Sequence, residues 1–202
     1  MKKNLPLISI VLSVLLCSSC ASYRASTLSL LPAETLLKSQ TLDVGLSVVA
    51  KAFNKKDCKR YLDRDVLAEG YQPIQIYIKN NSNKPYLFTI NRINLPLADA
   101  EDVAEKVYTS TAGRIAGYGV GALLIWPLII PAIIDGVKSY QANKSLNKDF
   151  LSKAAEDKTI EAYSQMNSIV FVPILNYEKT FSMTLIDCET KKPLTLTVDV
   201  VN

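Results

Sequence analysis

Histidine does not occur among the 202 residues of this chain. Its absence removes the commonest general base, the usual serine and cysteine triads and most zinc sites. Glycine is scarce at seven residues, and none sits in a G-x-S-x-G nucleophile elbow or a G-x-x-x-x-G-K phosphate loop. The glycines of GYGVGALL lack the following acid and the βαβ setting that dinucleotide binding requires. Lysine and arginine exceed aspartate and glutamate by four, 23 against 19, and nowhere cluster among aromatics. That pattern excludes a nucleic-acid footprint, so no nucleic-acid partner is expected. Low hydrophobicity is absent too: 49% apolar content is incompatible with a disordered chain. Charge itself is missing from one long stretch, the twenty residues from Ile115 to Ile134.

What is present begins at the N-terminus. MKKN is a short basic region, and LPLISIVLSVLL is an apolar run of signal-peptide length, too short for a spanning helix of about 20 residues. The run ends in LCSSCAS, which resembles the lipobox of bacterial lipoproteins. The resemblance implies cleavage between Ser19 and Cys20, a diacylglycerol on the Cys20 thiol and an acylated amine. Cys17 stands where that family usually has leucine, with Leu16 one place earlier. Several acyl chains, at about 0.8 kcal/mol per buried methylene, would make a firm anchor. Ala21 after the cysteine, in place of aspartate, implies sorting to the outer membrane. Removing Lys2 and Lys3 with the signal takes the net charge from +4 to +2. Cys58 and Cys188 remain as ordinary cysteines. An exported compartment permits a bridge between them, and two free thiols are the alternative.

Period-two alternation marks the strands. TLDVGLSV places Leu42, Val44, Leu46 and Val48 on one side. Ile74, Ile76 and Ile78 line one face of the next strand, which turns through Asn80 to Pro85 and returns with Tyr86, Phe88 and Ile90. SIVFVPI, TFSMTLID and PLTLTVDVV repeat the theme, with DCETKK as a hairpin loop. Between the first strands, NKKDCKRYLDRDVLAEG predicts a helix capped by Asn54, with Cys58, Tyr61, Leu62 and Val66 on one face and Gly70 at its end. IQIYIKNNSNKPYLF resembles the strand–turn–strand passage of immunoglobulin-like bacterial modules. The expected fold is α+β, an antiparallel immunoglobulin-like sandwich interrupted by a helical insertion. The segments are a signal peptide at 1–19, a lipidated tether at 20–40 and sandwich at 41–96 with a helix at 54–69. The insertion follows at 97–158, and the second part of the sandwich at 159–202.

The insertion contains the uncharged stretch. One crossing of a membrane would leave the strands before and after it on opposite sides. At roughly 25 cal/mol per Å² of apolar surface, the divided core would forfeit tens of kcal/mol. A hairpin avoids this. Pro127 and Pro131 break helical hydrogen bonding in the middle of the run, beside Trp126. Gly113, Gly117 and Gly121 give the first arm a flat face for close helix packing, which offsets about 1 kcal/mol lost per interior glycine. Such a hairpin either dips into the membrane that holds Cys20 or packs on protein, the same chain or a partner.

No catalytic residue, metal or cofactor is assigned. The carboxylate pairs Asp63/Asp65, Asp99/Glu101 and Glu156/Asp157 read as solvated helix positions, and Tyr61, Tyr71, Tyr77 and Tyr86 as packing ahead of a ligand groove. The layout resembles uncharacterised outer-membrane lipoproteins of Gram-negative bacteria. The leading expectation is a non-enzymatic binding or scaffolding protein of the envelope, anchored at Cys20 and open to homo-oligomers or an envelope partner through the glycine face. A pore-like assembly of hairpins and an envelope hydrolase with an unfamiliar site are the alternatives.

Overall fold

The structure, a computed structural model, describes residues 22–31, 35, 40–41, 45–108 and 129–201. The chain divides into two compact units, residues 1–24 with 108–148, and residues 25–107 with 149–202.

The second unit is mostly β. Its strands are β1 Gln40–Thr41, β2 Leu46–Ala52, β3 Tyr71–Asn80, β4 Tyr86–Ile93, β5 Lys158–Ile160, β6 Gln165–Pro173, β7 Thr180–Asp187 and β8 Pro193–Val201. Seven of them follow one hydrogen-bonded path, β5-β4-β7-β8-β2-β3-β6, and β1 pairs with β2 beside it. The path curls into a near-barrel around one core. Leu46, Ile74, Ile76, Ile78, Phe88, Met183 and Leu185 are buried there, alternating with residues of the opposite face as period two requires. Pairing is antiparallel with one exception. β8 runs along β7 from Pro193 to Asp199, and its end then joins β2 in parallel, Val200 beside Ala50 and Val201 beside Lys51. A strand that changes partners in this way forms the corner at which a sheet turns back over its own core.

Alternation predicts half-exposed strands, but β3 is buried on both faces from Pro73 to Asn80 apart from Lys79. Tyr77 points away from the main core into a small apolar cluster with Leu31 and Val49. The cover comes from the N-terminal segment.

Helix α1, Lys55–Tyr61, starts where expected. The Asn54 side chain accepts from the backbone of Lys56 and Asp57, and the Asp57 carboxylate accepts from the Asn54 N–H. This reciprocal box satisfies donors that a helix start leaves open. The helix read as continuing to residue 69 stops at Tyr61. Asp63 adopts φ 49°, a left-handed conformation that ends helical progress, and Val66 to Gly70 form turns closed by Gly70 at φ 85°. Cys58, Tyr61, Leu62 and Val66 are still all buried.

Two further helices follow β4. α2, Ala100–Lys106, is capped by Asp99, whose carboxylate accepts from the Glu101 N–H at 2.7 Å. α3, Ile129–Lys153, begins in the first unit and ends in the second. In the first unit its residues Ser139, Ala142 and Leu146 form a buried stripe at helical spacing, while Tyr140 is exposed. In the second, Phe150 stacks on Phe171 of β6 with ring centroids 5.7 Å apart. Among the described residues no helix is long and apolar enough to cross a membrane.

Candidate functional site

The residues singled out in the sequence fall into two groups. Ser19, Cys20, Gly113, Gly117, Gly121, Trp126 and Pro127 lie outside the described residues, and with them most of the uncharged stretch. Pro131 lies within α3. Cys58 and Cys188 are described, and both are free thiols. The bridge considered between them is therefore not formed. Cys58 is fixed on the buried face of α1, whereas Cys188 follows β7, where its N–H is bound by the Pro85 carbonyl.

Of residues 20–40, which the sequence presents as a tether, the described part in the second unit is held to the fold. From Ser26 to Leu31 the chain is strapped to the outside of the sheet. The Ser26 N–H bonds the Arg60 carbonyl at 2.8 Å. The Ser29 hydroxyl lies 2.6 Å from the Tyr61 hydroxyl, and the Ser29 carbonyl accepts from the side-chain amides of Gln75 and Asn167. Leu31 closes the strap by burying itself against Val49 and Tyr77. Strand β3 is thereby covered, and Gln75, almost fully buried, finds its partners in the strap and in Asn167.

A lysine clasps the strap from the other side. Lys153, at the end of α3, is 6% exposed, and its ammonium donates to the Ser26 carbonyl, the Tyr61 carbonyl and the Asp149 carboxylate at 2.8, 2.6 and 2.5 Å. Three donors meet three oxygens. A buried ammonium is tolerated only with such full compensation. The Tyr61 carbonyl is one of the open acceptors at the end of α1, where a cation is favoured. Sequence reasoning missed this residue, although a signal existed. Lys153 continues the stripe of Ala142, Leu146 and Phe150 at helical spacing, with Asp149 one turn before it.

An open cleft of about 480 Å³ lies beside β6. Its apolar wall is Ile90, Leu97, Val170 and Phe171, and its rim carries Leu151 and Glu156. The edge of β6 within it is partly plugged, because the Ala98 and Ala155 N–H groups bond the Phe171 and Ile169 carbonyls, both at 2.8 Å. Capping an edge strand in this way removes a template for strand addition.

Of the carboxylates paired in the sequence, Asp63, Asp65, Asp99 and Asp157 have structural partners. Asp63 pairs with Lys59 and Arg64, and Asp65 accepts from the Ala68 N–H. Asp99 caps α2, and Asp157 accepts from the Ile90 N–H where β4 loses register with β7. Tyr61, Tyr77 and Tyr86 are buried, and the Tyr77 hydroxyl donates to Gln165 at 2.6 Å. Among the described residues no three acidic or cysteine side chains gather as metal ligands. Burial, with Asp65 and Asp57 nearby, pushes the Cys58 thiol up to about 12. It is a neutral packing group at physiological pH, since the thiolate is the reactive form.

No protein family, curated protein or solved structure matches this chain.

Proposed function

We propose that this chain is an exported lipoprotein of the cell envelope, anchored through acyl chains on Cys20 and acting as a non-enzymatic binding or scaffolding module. The observation that carries the reading is the strap. A lipobox-like sequence at Leu16 to Cys20 is followed, six residues later, by a segment bonded to α1, β3 and β6. Six residues reach at most about 21 Å, so a lipid at Cys20 would hold the β-unit close against the bilayer. A binding role is supported over a catalytic one because Asp57, Asp65, Asp99 and Asp157 are engaged in helix caps, a turn and a sheet edge. The cleft beside β6 offers an apolar wall with a carboxylate rim for an envelope partner.

The same reading takes the fold as an immunoglobulin-like sandwich. Its support is the strand order. In that reading β2-β3-β6 would be one layer and β5-β4-β7-β8 the other, and the first long strand meets the last in a short parallel pair. The apolar hairpin built on Gly113, Gly117 and Gly121 interrupts it between β4 and β5. Outer-membrane placement follows from Ala21.

Mass spectrometry of the intact protein from membranes tests the anchor. The expected mass is that of a chain beginning at Cys20 with attached acyl groups, and Cys20→Ser is expected to lose both cleavage at that bond and the lipid mass. A mature chain that carries no acyl mass, with a cleavage site that Cys20→Ser leaves unmoved, would overturn the reading.

A further inference from the structure

Four exposed cations stand on the seven residues of α1: Lys55, Lys56, Lys59 and Arg60. Lys59 reaches Asp63, and the Arg60 guanidinium lies over the Tyr61 ring at 5.2 Å. Asp57 is held by Lys51 at 2.9 Å, so the acid within the helix is already paired. Asp65 and Glu69 are the exposed acids of the following turns.

This helix occupies a particular end of the sheet. β2 finishes at Ala52 just before it, β3 starts there at Tyr71, and β6 finishes there at Pro173. The backbone ties these segments together, Phe53 to Pro73 at 2.9 Å and Ile174 to Gly70 at 2.8 Å. The short 3-10 turn Ile174–Asn176 therefore projects from the same end as α1, two strands away or roughly 10 Å at ordinary strand spacing. Its apolar side chains are turned outward. Leu175 is 98% exposed and Ile174 42%. The opposite end of the sheet has an exposed aromatic at Tyr163 and exposed cations at Lys79, Lys191 and Lys192, but Lys84 there sits between Asp187 and Glu189, and the strap does not reach that end.

The strap arrives at the cationic end. Ser26 is bonded to the backbone of Arg60, so the N-terminal end of the strap lies beside α1. We infer that α1 and the Ile174–Asn176 turn form a membrane-docking face, with Lys55, Lys56, Lys59 and Arg60 on anionic phospholipid headgroups and Leu175 in the interface. The inference rests on the lipid-anchor reading for the short leash, but the charge and the exposed leucine are independent of it. The attraction of an anionic surface fades within a Debye length, about 8–10 Å at physiological salt. A leash of about 21 Å keeps α1 near enough to find that zone. An acyl chain combined with a basic patch is a common way to make anchoring firm, and an exposed leucine adds buried apolar area.

The test places a fluorescent reporter at the turn. Leu175→Trp in a Trp126→Phe background puts the sole indole at the proposed interface, and the near-complete exposure of Leu175 allows the exchange. The acylated full-length protein is mixed with vesicles of phosphatidylcholine alone or with one third phosphatidylglycerol, each carrying brominated chains. Blue-shifted, bromine-quenched emission is expected with phosphatidylglycerol, weakened by high salt and by Lys55→Gln, Lys56→Gln and Lys59→Gln together. For a chain that begins at Ala21 and so carries neither signal nor lipid, vesicle affinity should fall about fivefold per lysine removed. Acetylation of Lys55 and Lys56 in the unmutated protein provides a second reading and should slow on the same vesicles. An indole that stays in water with unchanged lysine reactivity, on vesicles that nevertheless hold the acylated protein, would overturn the docking face and leave the anchor standing. Docking by a chain that proves never to be acylated would keep the face and remove the anchor.

Discussion

Cys58 and Cys188 are equivalent in composition and opposite in environment. Cys58 is fully buried on α1, while Cys188 is half-buried in the turn after β7. With its thiol raised to about 12 by burial and by Asp65 and Asp57, Cys58 should resist alkylation in the native protein at pH 8. Peptide mapping after a brief iodoacetamide pulse is expected to find label at Cys188 and none at Cys58 until denaturant is added. The same shift has a sign for stability. The unfolded thiol loses its proton near its ordinary value of about 8.5, whereas the folded one keeps it. Cys58 thus favours the fold below that pH, and the contribution is lost progressively as pH rises towards 12. Neither fate was legible in the sequence, because spacing along the chain carries no information on whether two cysteines meet.

Local chemistry does reach the scale of elements. The start of α1 follows from Asn54 and Asp57, whose types and spacing form a capping box before any tertiary contact is considered. Asn54→Ala is expected to cost about 1 kcal/mol, read as a lowered urea midpoint with an unchanged slope. The end of α1 was harder to read. The apolar spacing of Cys58, Tyr61, Leu62 and Val66 suits a helix through all four, and all four are indeed buried. The chain instead leaves the helix at Asp63 and brings Val66 inward through a turn, with the Tyr71 N–H bonded to the Val66 carbonyl. Burial pattern and helical geometry are separate quantities, and periodicity reports the first. β3 shows the same distinction. Ile74, Ile76 and Ile78 declare an inner face, but Gln75 and Tyr77 give no sign that a distant segment will bury the outer one.

For the whole molecule the decisive contacts are long in sequence. Lys153 reaches Ser26 across 127 residues, and Gln75 reaches Asn167 across 92. Lys153→Met keeps most of the side chain but removes the ammonium that binds the carbonyls of Ser26 and Tyr61 and the carboxylate of Asp149. Breaking a buried, hydrogen-bonded charge pair typically costs about 3–5 kcal/mol. Chemical denaturation should show a loss of that order, and limited proteolysis should begin to cut within residues 22–31, which the wild-type strap protects. A variant of unchanged stability with an intact strap would mean that the clasp is dispensable.

The sequence by itself determined the strand faces, the start of α1, the absence of histidine-based chemistry and the lipobox resemblance at Cys20. Each is a local property, set by side-chain type and by the period of two or 3.6 residues. Tertiary structure alone decided that β8 turns the corner between β7 and β2, that residues 26–31 cover β3, and that the two thiols stay apart. It also placed Leu175 and the cations of α1 at one end of the sheet. These depend on which remote segments close the core with their polar groups satisfied, and no short stretch of sequence contains that competition.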